Sequence, residues 1–201
     1  MHDPEPTLVE RLASDVAALA STEAMPQASF LDVYEEHMPF VWNGVRRLGV
    51  PESAVEDVVQ EVFLVVHKKL GDFEGRSSMR TWLFGIALRV VRRYRRSQRS
   101  RGMSMTDSSD VDSFADAAGS SPQQSAERGQ MIDMLYRLLD ELDDDKREVL
   151  VLSELEQMTA PEIAEVTGAN LNTVYWRLRM ARQEFDRRVA RYQARREAGL
   201  R

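Results

Sequence analysis

The stretch "TAPEIAEVTGANLNTVYWRLRMARQEF", residues 159–185, decides how this chain is read. It holds two helices with a turn between them. Thr159 followed three residues later by Glu162 is a capping box, in which each residue satisfies backbone N–H groups at the helix start. Ile163, Ala164 and Val166 face inward, Gly168 allows a tight turn, and Asn170 caps the second helix. Leu171, Val174, Leu178, Ala181 and Phe185 then recur at the period of one buried helical stripe. Two short helices, a turn containing Gly and a basic second helix match helix-turn-helix spacing. With the stripe buried, Asn172, Thr173, Trp176, Arg177 and Arg179 point away from the core or sit at its edge. The start of that helix offers free N–H groups and a positive dipole end, which suit a phosphate. Arg177 and Arg179 could bond guanine edges or grip phosphate alone. Tyr175 and Trp176 have two readings, half-buried props under the helix or contacts to DNA.

Outward from this stretch the pattern stays helical, and no strand signal of any length is present. Met131–Leu142 and Lys146–Leu155 are amphipathic and belong with the helix-turn-helix. Nearer the start, Phe30–Leu48 reads as a helix ended by Gly49. "PESAVEDVVQEVFLVVHKKLG" from Pro51 places Val55, Val59, Val62, Val66 and Leu70 on one stripe. The loop "DFEGRSSM" comes after it. A long helix then runs from about Met79 to Ser97, with Trp82, Leu83, Ile86, Ala87, Val90 and Tyr94 inward. Three such helices make a small bundle. Gly102–Ala126 is rich in Ser, Asp, Ala and Gly, too poor in apolar surface to offset the entropy of ordering, and reads as a linker. Fully extended it spans on the order of 80 Å. "TLVERLASDVAAL" sets Leu8, Leu12, Val16 and Leu19 on one face, the pattern of a short extra helix or of a frayed extension. The expectation is an all-α protein. It has an N-terminal extension over 1–25, a first helical domain over 26–101, an acidic flexible linker over 102–128 and a helix-turn-helix domain over 129–201.

Of the 201 residues, 43% are apolar and 30% charged, the composition of a packed protein. No apolar run approaches the roughly 20 residues of a membrane span, and the acidic start lacks a signal pattern. There are no cysteines, which excludes disulfides, thiolate metal sites and cysteine nucleophiles and points to a reducing cytoplasm. The net charge of −6 is unevenly laid out. Residues 76–101 carry nine arginines and no acid, and 166–201 carry nine bases against three acids, while 129–165 carry eleven acids against three bases. Two basic islands in an acidic background suggest contact with a polyanion, most often nucleic acid. In the first island the arginines at 89, 92, 93, 96 and 99 fan over exposed surface beside a loop holding Phe73, Arg76, Ser77 and Ser78. Such a surface suits a single strand and an extruded base, a duplex gripped by its phosphates, or an acidic protein. Asp57, Gln60, Glu61 and Leu64 form an i, i+3, i+4, i+7 face opposite the valine stripe, suited to a basic helical partner. His2, His37 and His67 show no ligand-like spacing, and no phosphate loop or nucleophile motif is present, so the chain reads as a non-enzyme without metal or cofactor.

The order of segments resembles the extracytoplasmic-function (ECF) sigma factors of bacterial RNA polymerase. "ESAVEDVVQEVFLVVHKKL" is similar to the family's acidic polymerase-binding helix. "FEGRSSMRTWLFGIALRVV" resembles its F-x-G-x-x-x-x-x-x-W-L-x-x-I-A segment, and "LDELDDDKREVLVLSELEQMTAPEIAEVTGANLNTVYWRLRMAR" resembles its second domain. The likeness covers about residues 28–99 and 129–190. It implies a factor that binds core polymerase and directs promoter-specific initiation. The first domain would hold the clamp helices of the largest subunit through Asp57, Gln60, Glu61 and Leu64. It would open the −10 element with Phe73, Arg76, Ser77, Ser78, Arg80, Trp82, Arg89, Arg92, Arg93 and Arg96. The second domain would meet the polymerase flap and read the −35 element with Asn170, Asn172, Thr173, Tyr175, Trp176, Arg177, Arg179 and Arg182. Many members are held inactive by an anti-sigma factor, and the exposed surfaces of both domains would then receive it. The sequence also departs from the pattern. Many members carry Asn where this chain has Arg89, some a polar residue in place of Arg93, and many Lys-Ser in place of Tyr175-Trp176. The captured −10 base and the −35 sequence therefore do not carry over. The alternative is a stand-alone helix-turn-helix regulator, which leaves the first domain and its acidic face without a task.

Overall fold

The computed structural model describes residues 29–101 and 122–199. The amphipathic stretch over 8–19 and most of the expected linker lie outside the described residues. Seven α-helices and no strand are found among the described residues. In chain order they are α1 (Phe30–Arg47), α2 (Glu52–Lys69), α3 (Met79–Ser100), α4 (Pro122–Asp140), α5 (Asp144–Leu150), α6 (Ala160–Thr167) and α7 (Leu171–Glu197).

Local chemistry accounts for most of the boundaries. Ser29 and Asp32 form a capping box at the start of α1. Gly49, at φ +85°, turns the chain out of that helix. Arg46 closes the turn into α2, bonding the Val50 carbonyl at 2.8 Å and Glu52 at 2.8 Å. Ser78 caps α3 by accepting from the Thr81 N–H at 3.1 Å. Asp143 caps α5, the expected Thr159–Glu162 box opens α6, and Asn170 caps α7 by accepting from Asn172 N–H at 2.8 Å. Gly168 lies in the left-handed region between α6 and α7, as a tight turn needs.

Helices α1–α3 pack pairwise around Val41, Val45, Val55, Val59, Val62, Leu83, Phe84 and Leu88. Phe84 fits because Gly44 carries no side chain: a Cβ there would sit 2.9 Å from its ring. In the second unit Leu139, Val149, Leu152, Ile163, Val174 and Leu178 close around the helix-turn-helix. The expected stripe on α7 holds at Val174, Leu178 and Ala181, whereas Leu171 is exposed. Two boundaries differ from the pattern reading. Helix α4 starts at Pro122, so residues 122–126, poor in apolar side chains, are helical rather than linker. The amphipathic run to Leu155 is not one α-helix. It passes at Val151 into a π-helical turn, ending where the Glu156 N–H bonds the Val151 carbonyl at 3.0 Å and Gln157 takes φ +56°.

The two units share one continuous apolar core, with α3 packed on α6 and α4 against α1. Val166 of α6 sits against Gly85 of α3. Arg147 of α5 forms the other seam. Its guanidinium donates to the carbonyls of Leu139 at 2.7 Å, Asp140 at 2.8 Å and Leu142 at 3.1 Å, which caps the end of α4. It then reaches the Leu48 carbonyl of the first unit at 3.3 Å. A Cβ on Gly49 would lie 1.6 Å from Arg147 Nη1. Gly49→Ala should therefore lose both the left-handed turn and this seam, about 2–4 kcal/mol by urea denaturation. Gly75→Ala, at φ +69° with open space around it, should cost only about 1 kcal/mol.

Candidate nucleic-acid interface

The sequence places the functional side chains on three surfaces, and the structure arranges each differently from a simple fan. On α2, Asp57, Gln60 and Leu64 are exposed along one side, with Leu64 at 59%. Gln60 and Leu64 border an apolar groove of about 710 Å³ between α1 and α2, whose α1 wall is Phe30, Tyr34, Met38 and Trp42. Periodicity on α2 finds only half of this surface. The signal for the other half lies in Tyr34, an aromatic 39% exposed on the groove wall of α1. His67 stands at the groove's end, edge-on to the Phe30 ring at 4.9 Å.

The basic surface of α3 is split by direction. Arg89, Arg93 and Arg96 are exposed and border a concavity of about 250 Å³ together with Lys69, a cation that the arginine count overlooked. Arg93 also pairs with Glu61, so two side chains assigned to different partners hold each other. In the loop before α3, Phe73 packs on Trp82 with ring centroids 5.1 Å apart, and Trp82 is half-buried. Arg76 pairs with Glu74, and Arg80 lies over the Phe40 ring at 4.3 Å. Ser77 stays beside Ser78, whose side chain is engaged as the helix cap.

Arg92 departs from the expected exposed fan, whereas Arg99 is exposed as expected and pairs with Asp144. Arg92 turns into the seam between the two units and meets Glu148 of α5, with Nη2 2.5 Å and Nε 3.1 Å from Oε2. Its Nη1 donates to the Thr167 carbonyl at 3.0 Å. Glu148 is 2% exposed and also receives Arg95 Nη1 at 3.3 Å, itself 2% exposed. The hydrogen bonds to Glu148 hold the Arg92 pKa above its ordinary value, while burial pulls that of Arg95 down. Asp144 takes Arg99 and shares Arg95 Nη1 with Glu148, also at 3.3 Å. Arg47 of α1 reaches Glu156 at 2.7 Å, where burial raises the carboxyl pKa against the pull of Arg47. Exposure followed the helical stripe in the sequence reading, but the stripe says nothing about a second domain covering the far side.

On α7 the exposed strip is sharply drawn. Leu171, Asn172, Tyr175, Trp176 and Arg179 face solvent, and Tyr175 and Trp176 are 55% and 60% exposed. These aromatics are therefore not props beneath the helix. Thr173 is half-buried beside the stripe, and Asn170 is spent on the cap. Arg177 pairs with Asp145 and Arg182 with Glu154 at 2.6 Å, leaving Arg179 without an ion pair among the described residues. The arrangement offers a helix of the right breadth for a major groove, with an aromatic face and a cationic margin.

Comparison with known proteins agrees with this architecture. Family models described as Sigma-70 region 2 and Sigma-70, region 4 match residues 33–101 and 132–185. The chain is 30% identical over 158 residues to the RNA polymerase sigma factor NccH of Alcaligenes xylosoxydans xylosoxydans, covering 78% of this chain and 84% of that protein. It is 30% identical over 145 residues to the ECF RNA polymerase sigma-E factor of Escherichia coli strain K12, covering 70% and 76%. Among solved structures it is similar to CnrH in complex with the cytosolic domain of CnrY, at 28% identity and TM-score 0.57 over 88% of this chain and 96% of that one. The sigma factor RpoE of Bartonella quintana, crystallised with the anti-sigma factor NepR, shares the fold at 22% identity and TM-score 0.55, over 78% and 95%.

The buried carboxylate gives a direct test of the seam. Glu148→Ala would leave Arg92 without its buried counter-charge and Arg95 with Asp144 alone. Removing one partner of a buried pair costs about 3–5 kcal/mol. The two units should then separate, seen as a larger radius in small-angle X-ray scattering with helix content by circular dichroism kept.

Proposed function

The chain belongs to the ECF sigma factors, proteins that bind core RNA polymerase and direct promoter-specific transcription initiation, and we propose how its surfaces divide that work. The groove between α1 and α2, bordered by Gln60 and Leu64, receives the clamp helices of the polymerase, with Asp57 and Glu61 on the same helix to meet their charge. The concavity of Arg89, Arg93, Arg96 and Lys69, with the loop at Phe73–Ser78 and Trp82, holds the melted −10 strand. Arg92 joins it only when the second unit moves away. The strip on α7 reads the −35 element, with Arg179 available to phosphate and Arg177 and Arg182 once Asp145 and Glu154 release them, while the second domain meets the flap.

One observation carries this division. Exposed Leu64 and the exposed acid Glu56 border an apolar groove, on a chain with two basic islands elsewhere. A regulator that bound duplex DNA alone would have no use for such a groove. Because CnrH was solved with the cytosolic domain of CnrY, we extend the proposal to an inhibitor. An anti-sigma factor with an amphipathic helix would compete for the same groove. The closed seam points the same way for the free chain. The carboxylates of α5 occupy arginines from both basic islands, so DNA phosphates must displace them before those contacts release counterions.

Run-off transcription with core polymerase over genomic DNA, with and without the chain, tests the assignment. Discrete new transcripts are expected. Asp57→Ala together with Leu64→Asp, both on exposed side chains, should reduce them by about tenfold or more, the effect of losing an interface hot spot. Tight binding of duplex DNA by the protein alone, with no new transcripts, would favour the stand-alone regulator.

A further inference from the structure

The strip on α7 is unusual for its balance of apolar and cationic side chains. Its base-facing side in the first two turns consists of Leu171, Asn172, Tyr175 and Trp176, with Arg179 following one turn on. Val174, Leu178 and Ala181 hold the opposite side in the core, so these residues cannot rotate inward without unpacking the helix. Two aromatics more than half exposed and side by side form an apolar patch, and patches of that kind mark binding surfaces. The arginines that would give guanine contacts are mostly engaged. Asp145 holds Arg177 and Glu154 holds Arg182, so Arg179 is the one free cation among the described residues of this part of the helix.

The major groove presents one apolar feature to such a surface, the C5-methyl group of thymine. A side chain without a donor or acceptor at the contact distinguishes thymine by that methyl alone. An α-helix of about 10–12 Å breadth fits a major groove of about 12 Å, and its first turns are the part that reaches the bases. The positive end of the helix dipole and Arg179 favour a polyanion over an apolar protein surface here. We propose that Tyr175 and Trp176 read thymine methyl groups in the −35 element, so that apolar contact with thymine, rather than guanidinium contact with guanine, specifies that element. This inference rests on the reading of α7 as the promoter-reading helix. Asn172, at the N-terminal end of the same strip, is placed to take a neighbouring adenine through its N6 and N7 edge.

The test uses holoenzyme assembled from core polymerase and the full chain, on a promoter recovered by run-off transcription. Each thymine of the −35 element is replaced by deoxyuridine, which removes the methyl group and keeps every hydrogen-bonding edge. Binding by the wild-type holoenzyme should weaken by about fourfold for each methyl contacted, the worth of one buried carbon. Tyr175→Ala and Trp176→Ala should bind the thymine template less well and lose the difference between thymine and deoxyuridine. Both side chains are exposed, so the variants should keep the wild-type melting temperature. Equal wild-type affinity for the two templates would overturn the proposal, as would a −35 element without thymine on either strand. Variants that bind more weakly but keep the full deoxyuridine penalty would show that the aromatics dock on protein and not on DNA. Absence of specific binding on the thymine template itself would overturn the sigma-factor reading, and this inference with it.

Discussion

The carboxylate of Glu148, buried between Arg92 and Arg95, is the contact on which the relation of the two domains depends. A lone carboxylate in that position would face a desolvation cost of several kcal/mol, and so would either arginine. Each is tolerable only because the others are present and because Thr167 supplies a carbonyl to Arg92. Arg147 applies the same logic along the chain. It satisfies the last carbonyls of α4 and one at the end of α1, so an ordinary helix cap also ties the two units. Ionic seams of this kind contribute specificity of arrangement more than stability, since an apolar contact of equal size would hold at least as well. The apolar part of the seam, Val166 on α3 at Gly85, sets how closely the helices approach, and the charges set which way they face.

The charge pattern of the sequence takes on a further meaning here. The acids of α5 are shared out by direction. Asp144 and Glu148 face the first basic island, and Asp145 faces the second. A short helix between two cationic surfaces therefore takes the place that phosphate groups would occupy on DNA. Contacts of this type weaken with salt wherever they are exposed, as at Arg99, and resist it where they are buried, as between Arg95 and Glu148. The closed arrangement thus has a soft rim around a hard centre.

Much of this fold was legible in the sequence because the decisive signals are local. The Thr159–Glu162 box, Gly168, Asn170 and the valine stripe on α2 each specify backbone or burial within a few residues, and the structure has them as expected. The α7 strip was legible for the same reason, once Val174, Leu178 and Ala181 fixed the buried side. What could not be read was everything set by a partner distant in sequence. Arg92 and Arg93 are adjacent arginines, yet one turns into the seam against buried Glu148 and the other reaches Glu61 on the surface. The π-helical turn at Val151–Leu155 was missed because its apolar residues fit an α-helical period, and only the hydrogen bond from Glu156 reveals the extra residue.

The pair between Glu61 and Arg93 joins two surfaces that the division of labour assigns to different partners. Glu61 follows the groove residue Gln60 on α2, and Arg93 borders the basic concavity, each about half exposed. An exposed pair of this kind is worth at most about 1 kcal/mol, so it constrains neither surface strongly. Its effect is on their coupling. A basic helix arriving at the groove would compete for Glu61 and leave Arg93 unpaired, raising the positive potential of the concavity. Linkage requires the converse with equal weight: a phosphate that engages Arg93 frees Glu61 for the basic helix. The groove shares no lining residue with the Glu148 seam. On the proposed division of surfaces, polymerase and promoter would be mutually favourable ligands rather than rivals, coupled because Arg93 on α3 stands within reach of Glu61 on α2.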